Sequence, residues 1–208
     1  AKESAVLQGA VLVDAYRKDS RTLDANGNGL VSYVLLEGET SHQDSLIRTE
    51  WSIQTLKDGG VPLEKITGGI ANWDRSQASA LMEQWLKEYP GQIELVVSNN
   101  DDMALGAIEA LKAAGYFTDE SNYIPVLGVD ATKVGLQALE DGTMLATSLN
   151  NPVTMGKCIY KILELLEAGE EITSENLGYD IDDHKRVWLD YVAITKDNLE
   201  DADLSKYE

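Results

Sequence analysis

The sequence is poor in cysteine, proline and positive charge, and it has no long hydrophobic run. Its single cysteine, Cys158, excludes an intrachain disulfide and the class of small disulfide scaffolds. Four prolines and a hydrophobic content of 43% exclude collagen-like and disordered chains. No stretch approaches the roughly 18 apolar residues of a membrane-spanning helix. With 36 acidic residues against 17 Lys and Arg, the net charge of -19 argues against binding nucleic acid or anionic lipid through bulk electrostatics.

Helical and strand patterns alternate along the chain, and this alternation predicts an α/β fold. Apolar residues at helical spacing predict helices at 2–16, 45–56, 103–114, 134–139 and 153–168, and Asp74 is a candidate N-cap for a further helix. Short apolar runs predict strands at 30–36, 93–97, 124–129, 145–149 and 187–193. Strands separated by single helices predict a three-layer, doubly wound, mostly parallel sheet that is covered on both faces.

Polar side chains follow four of the predicted strands. They lie at 39–44, 98–102, 130 and 150–151, and ligands of parallel sheets bind at these carboxyl ends. Carboxylates, amides and an imidazole suit a ligand with many hydroxyls, and no glycine-rich phosphate loop is present. Asn and Asp are also common caps and turn formers after strands. Their coincidence at four strand ends favours a binding site.

The segment 24–32 matches the first half of a calcium-binding loop. Oxygen ligands fall at loop positions 1, 3 and 5, glycine at 6 and a backbone carbonyl at 7: Asp24, Asn26, Asn28, Gly29 and Leu30. The helix–loop–helix form needs a glutamate at position 12, where this sequence has Leu35. Two interpretations stay open from the loop alone: a calcium site closed by a distant carboxylate, or an Asn-Gly-rich turn without metal.

Six ordered stretches together resemble the periplasmic galactose/glucose-binding proteins of bacterial ABC transport and chemotaxis. The most specific are VVSNNDDMALGAIEALKAAG (96–115), IPVLGVDAT (124–132) and GTMLATSLNN (142–151). GETSHQDSLIRTE, ANWDRSQA and TKDNL extend the resemblance over essentially the whole chain. It implies the C-terminal lobe of a type I periplasmic binding protein, in which two α/β lobes joined by three crossings enclose the sugar.

The resemblance also implies which residues bind the sugar. Hydrogen-bonding and stacking roles carry over to His42, Asp44, Arg48, Trp73, Asn100, Asp130 and Asn150. The carboxylates and amides would share hydrogen bonds with ring hydroxyls, the guanidinium would donate to the ring oxygen, and the indole would cover an apolar sugar face. Simpler roles are open for three of them: His42 as a helix cap, Arg48 as a surface ion-pair partner and Trp73 as a staple on the following helix.

The same resemblance implies a calcium ion held by the loop and by a distant glutamate. Its ligands would be Asp24, Asn26, Asn28, the Leu30 carbonyl, Ser32 and Glu94. The family usually has Asp where this chain has Asn28, and Gln where it has Ser32. With two formal negative charges and a short hydroxyl, calcium binding is expected to be weaker than is typical.

The family's first lobe would precede the residues matched by Ala1. The resemblance therefore implies that 1–149 and 189–208 form the second lobe, and that 150–188 is an orphaned helix and strand of the first. An apolar helix at 153–166 that has lost its partner predicts self-association. A cleft with one wall predicts weak or no sugar binding by the chain alone.

The expected function is extracytoplasmic binding of D-galactose or D-glucose for an ABC importer, without enzymatic activity. The partners would be a hexose and the importer's membrane subunits, and the location the periplasm or the outer face of the cell envelope, with a lipid anchor as an option. Three alternatives stay open: the effector-binding core of a LacI-like repressor, a glycoside hydrolase using Glu39, Asp101 and Asp102, and a half-protein made as such.

Overall fold

The computed structural model describes residues 1–119 and 122–207. Its helices are α1 (Lys2–Lys18), α2 (Gln43–Asp58), α3 (Arg75–Glu88), α4 (Asp101–Ala113), α5 (Lys133–Glu140), α6 (Pro152–Ala168) and α7 (Ser174–Leu177). Its strands are β1 (Val31–Glu37), β2 (Leu63–Ile70), β3 (Leu95–Ser98), β4 (Val126–Leu127), β5 (Ala146–Leu149) and β6 (Val192–Thr195). Short 3-10 segments lie at Ser20–Thr22, Lys196–Ala202 and Leu204–Tyr207. In this part of the chain no helix is both long and apolar enough to cross a bilayer.

The strands form one six-stranded sheet in the order β2-β1-β3-β4-β5-β6. Strands β1 to β5 pair in parallel, and β6 closes the edge antiparallel to β5. Because side chains alternate along β1, Leu35 packs under α1 and α2, whereas Leu36 packs under α3 and α4. The predicted three-layer, mostly parallel α/β architecture is confirmed.

Three strands differ from the prediction made from the sequence. The strand predicted at 124–129 is limited to Val126–Leu127. The edge strand β2 was not predicted, because its charged residues and the Gly68-Gly69 pair interrupt any apolar run. The strand predicted at 187–193 begins only at Val192. The Asp182 Oδ2 atom accepts hydrogen bonds from Arg186 Nε at 2.8 Å and Trp188 Nε1 at 3.0 Å, and these bonds hold the preceding residues in a turn.

The segment 150–188 has a small apolar cluster of its own. Cys158 and Leu165 of α6 pack with Leu177 of α7, apart from the two clusters that flank the sheet. The other side of α6 is exposed, with Ile159 53% and Leu163 57% accessible. The helix is therefore amphipathic, but its larger apolar face has no cover within the described chain.

Candidate functional site

All seven residues of the predicted sugar site lie together at the carboxyl ends of the parallel strands. Arg48 links them: its guanidinium lies 3.7 Å from an Asp44 carboxylate oxygen, 3.9 Å from an Asp130 oxygen and 5.9 Å from the Trp73 ring centre. The Asn150 side chain hydrogen-bonds Asp130. The Asn100 amide lies 3.5 Å from the Trp73 carbonyl. Residues from five separate chain segments thus form one polar surface.

Arg48 is a buried residue, and the interpretation as a surface ion-pair partner is wrong. Only 4% of it is exposed, and its Nη1 donates to the Asn99 carbonyl at 2.8 Å. Its Nε atom is buried and has no hydrogen-bond partner within the described chain. A buried donor without a partner carries a desolvation cost of about 1–3 kcal/mol, which a ligand acceptor would offset.

The exposed His42 and the half-buried Trp73 form the rim of this surface. His42 caps α2, since its Nδ1 accepts a hydrogen bond from the Asp44 backbone N–H at 3.2 Å. Its ring lies edge-on to Trp73 at 5.1 Å and 78°. Trp73 adopts a left-handed backbone with φ 64°, and its indole fills the space where a Cβ on Gly38 would lie. A glycine is therefore needed after β1 to let the indole reach the site.

Asp130 and Asn100 are held by the ends of β4 and α4. The Asp130 backbone N–H donates to Ser148 at 2.8 Å, and its side chain is 30% exposed. Burial raises the pKa of Asp130, whereas the Arg48 charge and the Asn150 hydrogen bond oppose that rise. Asn100 caps α4 by accepting the Met103 N–H at 3.0 Å. Asn100 therefore caps α4 and also lies at the site.

Four residues support the site in roles that the sequence did not predict, although two of them, Asn99 and Asp101, lie in the polar strand end at 98–102. Asn99 accepts hydrogen bonds from Gly38 N at 3.1 Å and Ser45 Oγ at 3.2 Å. Gln8 of α1 donates to two carbonyls at the ends of β3 and β4, at 2.9 and 3.1 Å. The other two are Tyr191, which lies beside Arg48, and the buried Asp101. Polar side chains at apolar positions were the available signal, but their partners lie far away in the chain.

The predicted calcium loop is closed by Glu94. Its two carboxylate oxygens accept the backbone N–H groups of Asn26 and Ser32, each at 3.0 Å. Asp24 accepts the Gly29 N–H at 3.1 Å through Oδ2, while its Oδ1 is buried and has no partner. The predicted loop and the distant glutamate are therefore in contact, and one buried oxygen of the Asp24 side chain is left without a hydrogen-bond partner.

A surface cavity of about 370 Å³ borders this loop. It is lined by Asn26, Asn28, Ser32, Glu64, Lys65, Ile66, Tyr89, Gly91 and Gln92. Among the described residues, no group of three or more Asp, Glu, His or Cys side chains is arranged so that it could hold a metal ion. A cation here would depend on the amide and carbonyl oxygens that the loop supplies beside two carboxylates, and such oxygens suit calcium.

Of the three carboxylates considered for glycoside hydrolysis, Asp101 and Asp102 each have structural partners, and Glu39 is exposed just after β1. Asp101 is fully buried and accepts hydrogen bonds from Thr132 and Thr147. Asp102 is exposed and pairs with Arg75 at 2.6 Å. One carboxylate is thus sealed from solvent and the other engaged at the surface, so this observation gives no support to that alternative.

Comparison with known proteins identifies relatives over most of the chain. The D-galactose/methyl-galactoside binding periplasmic protein of Haemophilus influenzae is 35% identical over 201 residues, which are 96% of this chain and 58% of that protein. The xylitol-binding protein of Mycolicibacterium smegmatis is 34% identical over 176 residues, 84% of this chain and 45% of that protein. The chain spans about half the length of the curated relatives it matches.

Solved structures give the same result. An ABC transporter solute binding protein from Bacillus halodurans with bound myo-inositol superposes with a TM-score of 0.77 at 29% identity, over 100% of this chain and 62% of that one. The sequence profile of the periplasmic binding protein domain matches residues 1–171. The chain therefore belongs to the periplasmic binding protein domain family.

Proposed function

We propose that this chain forms one wall of a monosaccharide site in a periplasmic protein that delivers sugar to an ABC importer, with D-galactose or D-glucose as the sugar. The observation that carries the proposal is the buried Arg48, whose Nε lacks a partner beside Asp44 and Asp130. The galactoside-binding relative supports the choice of hexose, and the periplasmic relatives support the location. These relatives also favour a transport protein over a LacI-like repressor core.

The chemistry of the wall suits a sugar. Arg48 offers rigid N–H donors to a ring oxygen or hydroxyl, and the carboxylates of Asp44 and Asp130 accept from neighbouring hydroxyls. Trp73 supplies an apolar face for the C–H groups, and His42 a further polar contact at the rim. Because binding sites normally bury most of the ligand, contacts from one wall are expected to give a Kd of about 1 mM or weaker.

Titration of the isotopically labelled chain, followed by amide NMR in saturating calcium, tests the proposal. Galactose and glucose are expected to shift the resonances of Asp130 and Asn150, and xylitol, ribose and myo-inositol to do so less. Arg48→Lys keeps the charge but loses the planar fork, and is expected to weaken binding about tenfold. Arg17→Lys, which changes an exposed arginine bonded to the Gly59 carbonyl at the opposite end of α2 from His42, is the matched control.

Two outcomes would contradict the proposal. No shift with any of these sugars up to about 100 mM, or shifts that Arg48→Lys leaves unchanged, would show that the sugar does not bind at this surface.

We also propose that 150–188 is a unit distinct from the sugar-binding lobe and that copies of the chain associate through the exposed face of α6. Light scattering of the same samples tests this, and a monomeric mass at every concentration would contradict it.

We further propose that the loop binds a calcium ion. The ligands would be Asp24, Asn26, Asn28, the Leu30 carbonyl, Ser32 and Glu94. The partnerless Asp24 Oδ1 supports the proposal, since a bound cation would stabilise a buried anionic oxygen. Bound calcium would neutralise the two carboxylates and tie the loop to β3. Two formal charges, from Asp24 and Glu94, favour a dissociation constant near the weak end of the range for calcium sites, about 0.1–1 mM.

Calcium is expected to raise the melting temperature of the wild type and not that of Glu94→Gln. At a concentration ten times the dissociation constant, binding adds about 1.4 kcal/mol, which corresponds to about 3 °C for a chain of this size. Glu50→Gln, an exposed glutamate of α2, is the control and is expected to respond like the wild type. An equal rise in all three proteins, or none in the wild type at millimolar calcium, would contradict the assignment.

A further inference from the structure

The loop that carries Asp130 is hydrogen-bonded to the buried carboxylate of Asp101. The Asp101 Oδ2 atom accepts hydrogen bonds from the Thr132 backbone N–H at 2.7 Å and from its hydroxyl at 3.0 Å. The Oδ1 atom accepts from the Thr147 hydroxyl at 2.6 Å, and that hydroxyl in turn accepts the Ala131 N–H at 3.2 Å. One side chain thus connects, directly or through Thr147, to the two residues that follow Asp130.

The backbone of this loop is strained. Asp130 has φ 119° and Ala131 has φ 52°, and neither is a glycine. Each such conformation costs about 1–3 kcal/mol and persists only where the surroundings enforce it. The hydrogen bonds that converge on Asp101 are the enforcing contacts at Ala131 and Thr132.

The Asp101 side chain is sterically confined. A Cβ on Gly128 would overlap its Oδ1, and a Cβ on Gly135 would overlap its Oδ2. The backbone N–H of Asp101 also donates to the Val129 carbonyl at 2.8 Å. The carboxylate is therefore confined between two glycines, and its hydrogen bonds hold the adjacent loop in a fixed position.

We propose that Asp101 is a positioning residue that holds residues 130–132 in the strained form in which Asp130 faces Arg48. The proposal rests on the proposed sugar-binding function, because Asp130 and Arg48, 3.9 Å apart, belong to that site. Asparagine is a weaker substitute for Asp101. The two carboxylate oxygens serve different donors, whereas an amide has one acceptor oxygen, so that either the Thr132 N–H and O–H or the Thr147 O–H loses its acceptor.

Amide hydrogen exchange of the full chain tests the inference. In Asp101→Asn and in Thr147→Val, the Ala131 and Thr132 amides are expected to exchange about tenfold faster relative to core amides of β3, because each loses a restraint of about 1.4 kcal/mol. Hexose affinity is expected to fall by a similar factor. The control is Thr143→Val, which removes another buried threonine hydroxyl, bonded to Ala138 at 3.3 Å.

The outcomes separate this inference from the proposed function. Loop amides that keep their wild-type exchange, in variants whose core amides are also unchanged, would overturn the positioning role of Asp101. An equal increase in the exchange rates of the loop and core amides would mean general destabilisation and would also overturn the positioning role. If the wild type binds no hexose, the proposed function fails for this chain, while the exchange of Ala131 and Thr132 still decides whether Asp101 holds the loop.

Discussion

Gly106→Ala is expected to lower the free energy of unfolding by about 3 kcal/mol. Gly106 lies in α4 where that helix crosses α3. A Cβ there would overlap the Arg75 carbonyl oxygen and lie 3.0 Å from the Ser79 nitrogen. Both are backbone atoms, so no side-chain rotation relieves the clash and the helices must separate. Urea unfolding followed by circular dichroism measures the loss.

Gly156→Ala is the matched control for that substitution. Gly156 lies inside α6, and no heavy atom is within 4 Å of the position that its Cβ would take. Helix propensity then acts alone, and alanine is expected to raise the stability of the segment containing α6 by about 0.5–1 kcal/mol. If Gly106→Ala instead behaved like Gly156→Ala, α3 and α4 would not be in the close contact that the fold requires.

Local patterns were sufficient to predict helices α1 to α6 and the polar strand ends, but not the single turn of α7. Asp74 and Asn100 cap α3 and α4, and the helix ends follow from the same kind of signal. Amphipathic spacing and caps depend on neighbours within a few residues, which the sequence displays directly. The order of the parallel strands then brought the predicted sugar-site residues to one edge of the sheet.

Features that depend on distant partners could not be predicted in this way. In the sequence, Gln8 is an ordinary polar residue of a predicted helix. In the structure, its side chain donates to carbonyls at the ends of β3 and β4, about 90 and 120 residues away in the chain. Arg48 reads as exposed because its helix carries polar residues around it, but Asn99 and Asp130 bury it. The pattern of a sequence records which residues are polar, whereas burial of a polar residue depends on partners that only the fold brings together.

The stability of the chain is expected to fall as pH rises from about 4 to 7. Burial raises the pKa of Asp101 to about 7, against the pull of its hydrogen bonds from Thr147 and Thr132, and the charge of Asp130 adds to the rise. Burial also raises the pKa of Asp130. The unfolded chain releases these protons near pH 4, so between pH 4 and 7 the folded state binds more protons and each rise in pH favours unfolding.

Asp101→Asn is expected to remove most of this slope, on the order of 3 kcal/mol between pH 4 and 7. Below pH 4 both proteins are expected to lose stability, because hydrogen bonds from the backbone and from Trp188 and Arg186 lower the pKa of Asp182 to about 2. Asp14→Asn, an exposed aspartate of α1, makes the same change in net charge and serves as the control. Urea unfolding at several pH values measures the slope. Parallel pH profiles for the wild type and Asp101→Asn would mean that the buried carboxylate stays ionised through this range, so that its three hydrogen bonds outweigh the cost of its burial.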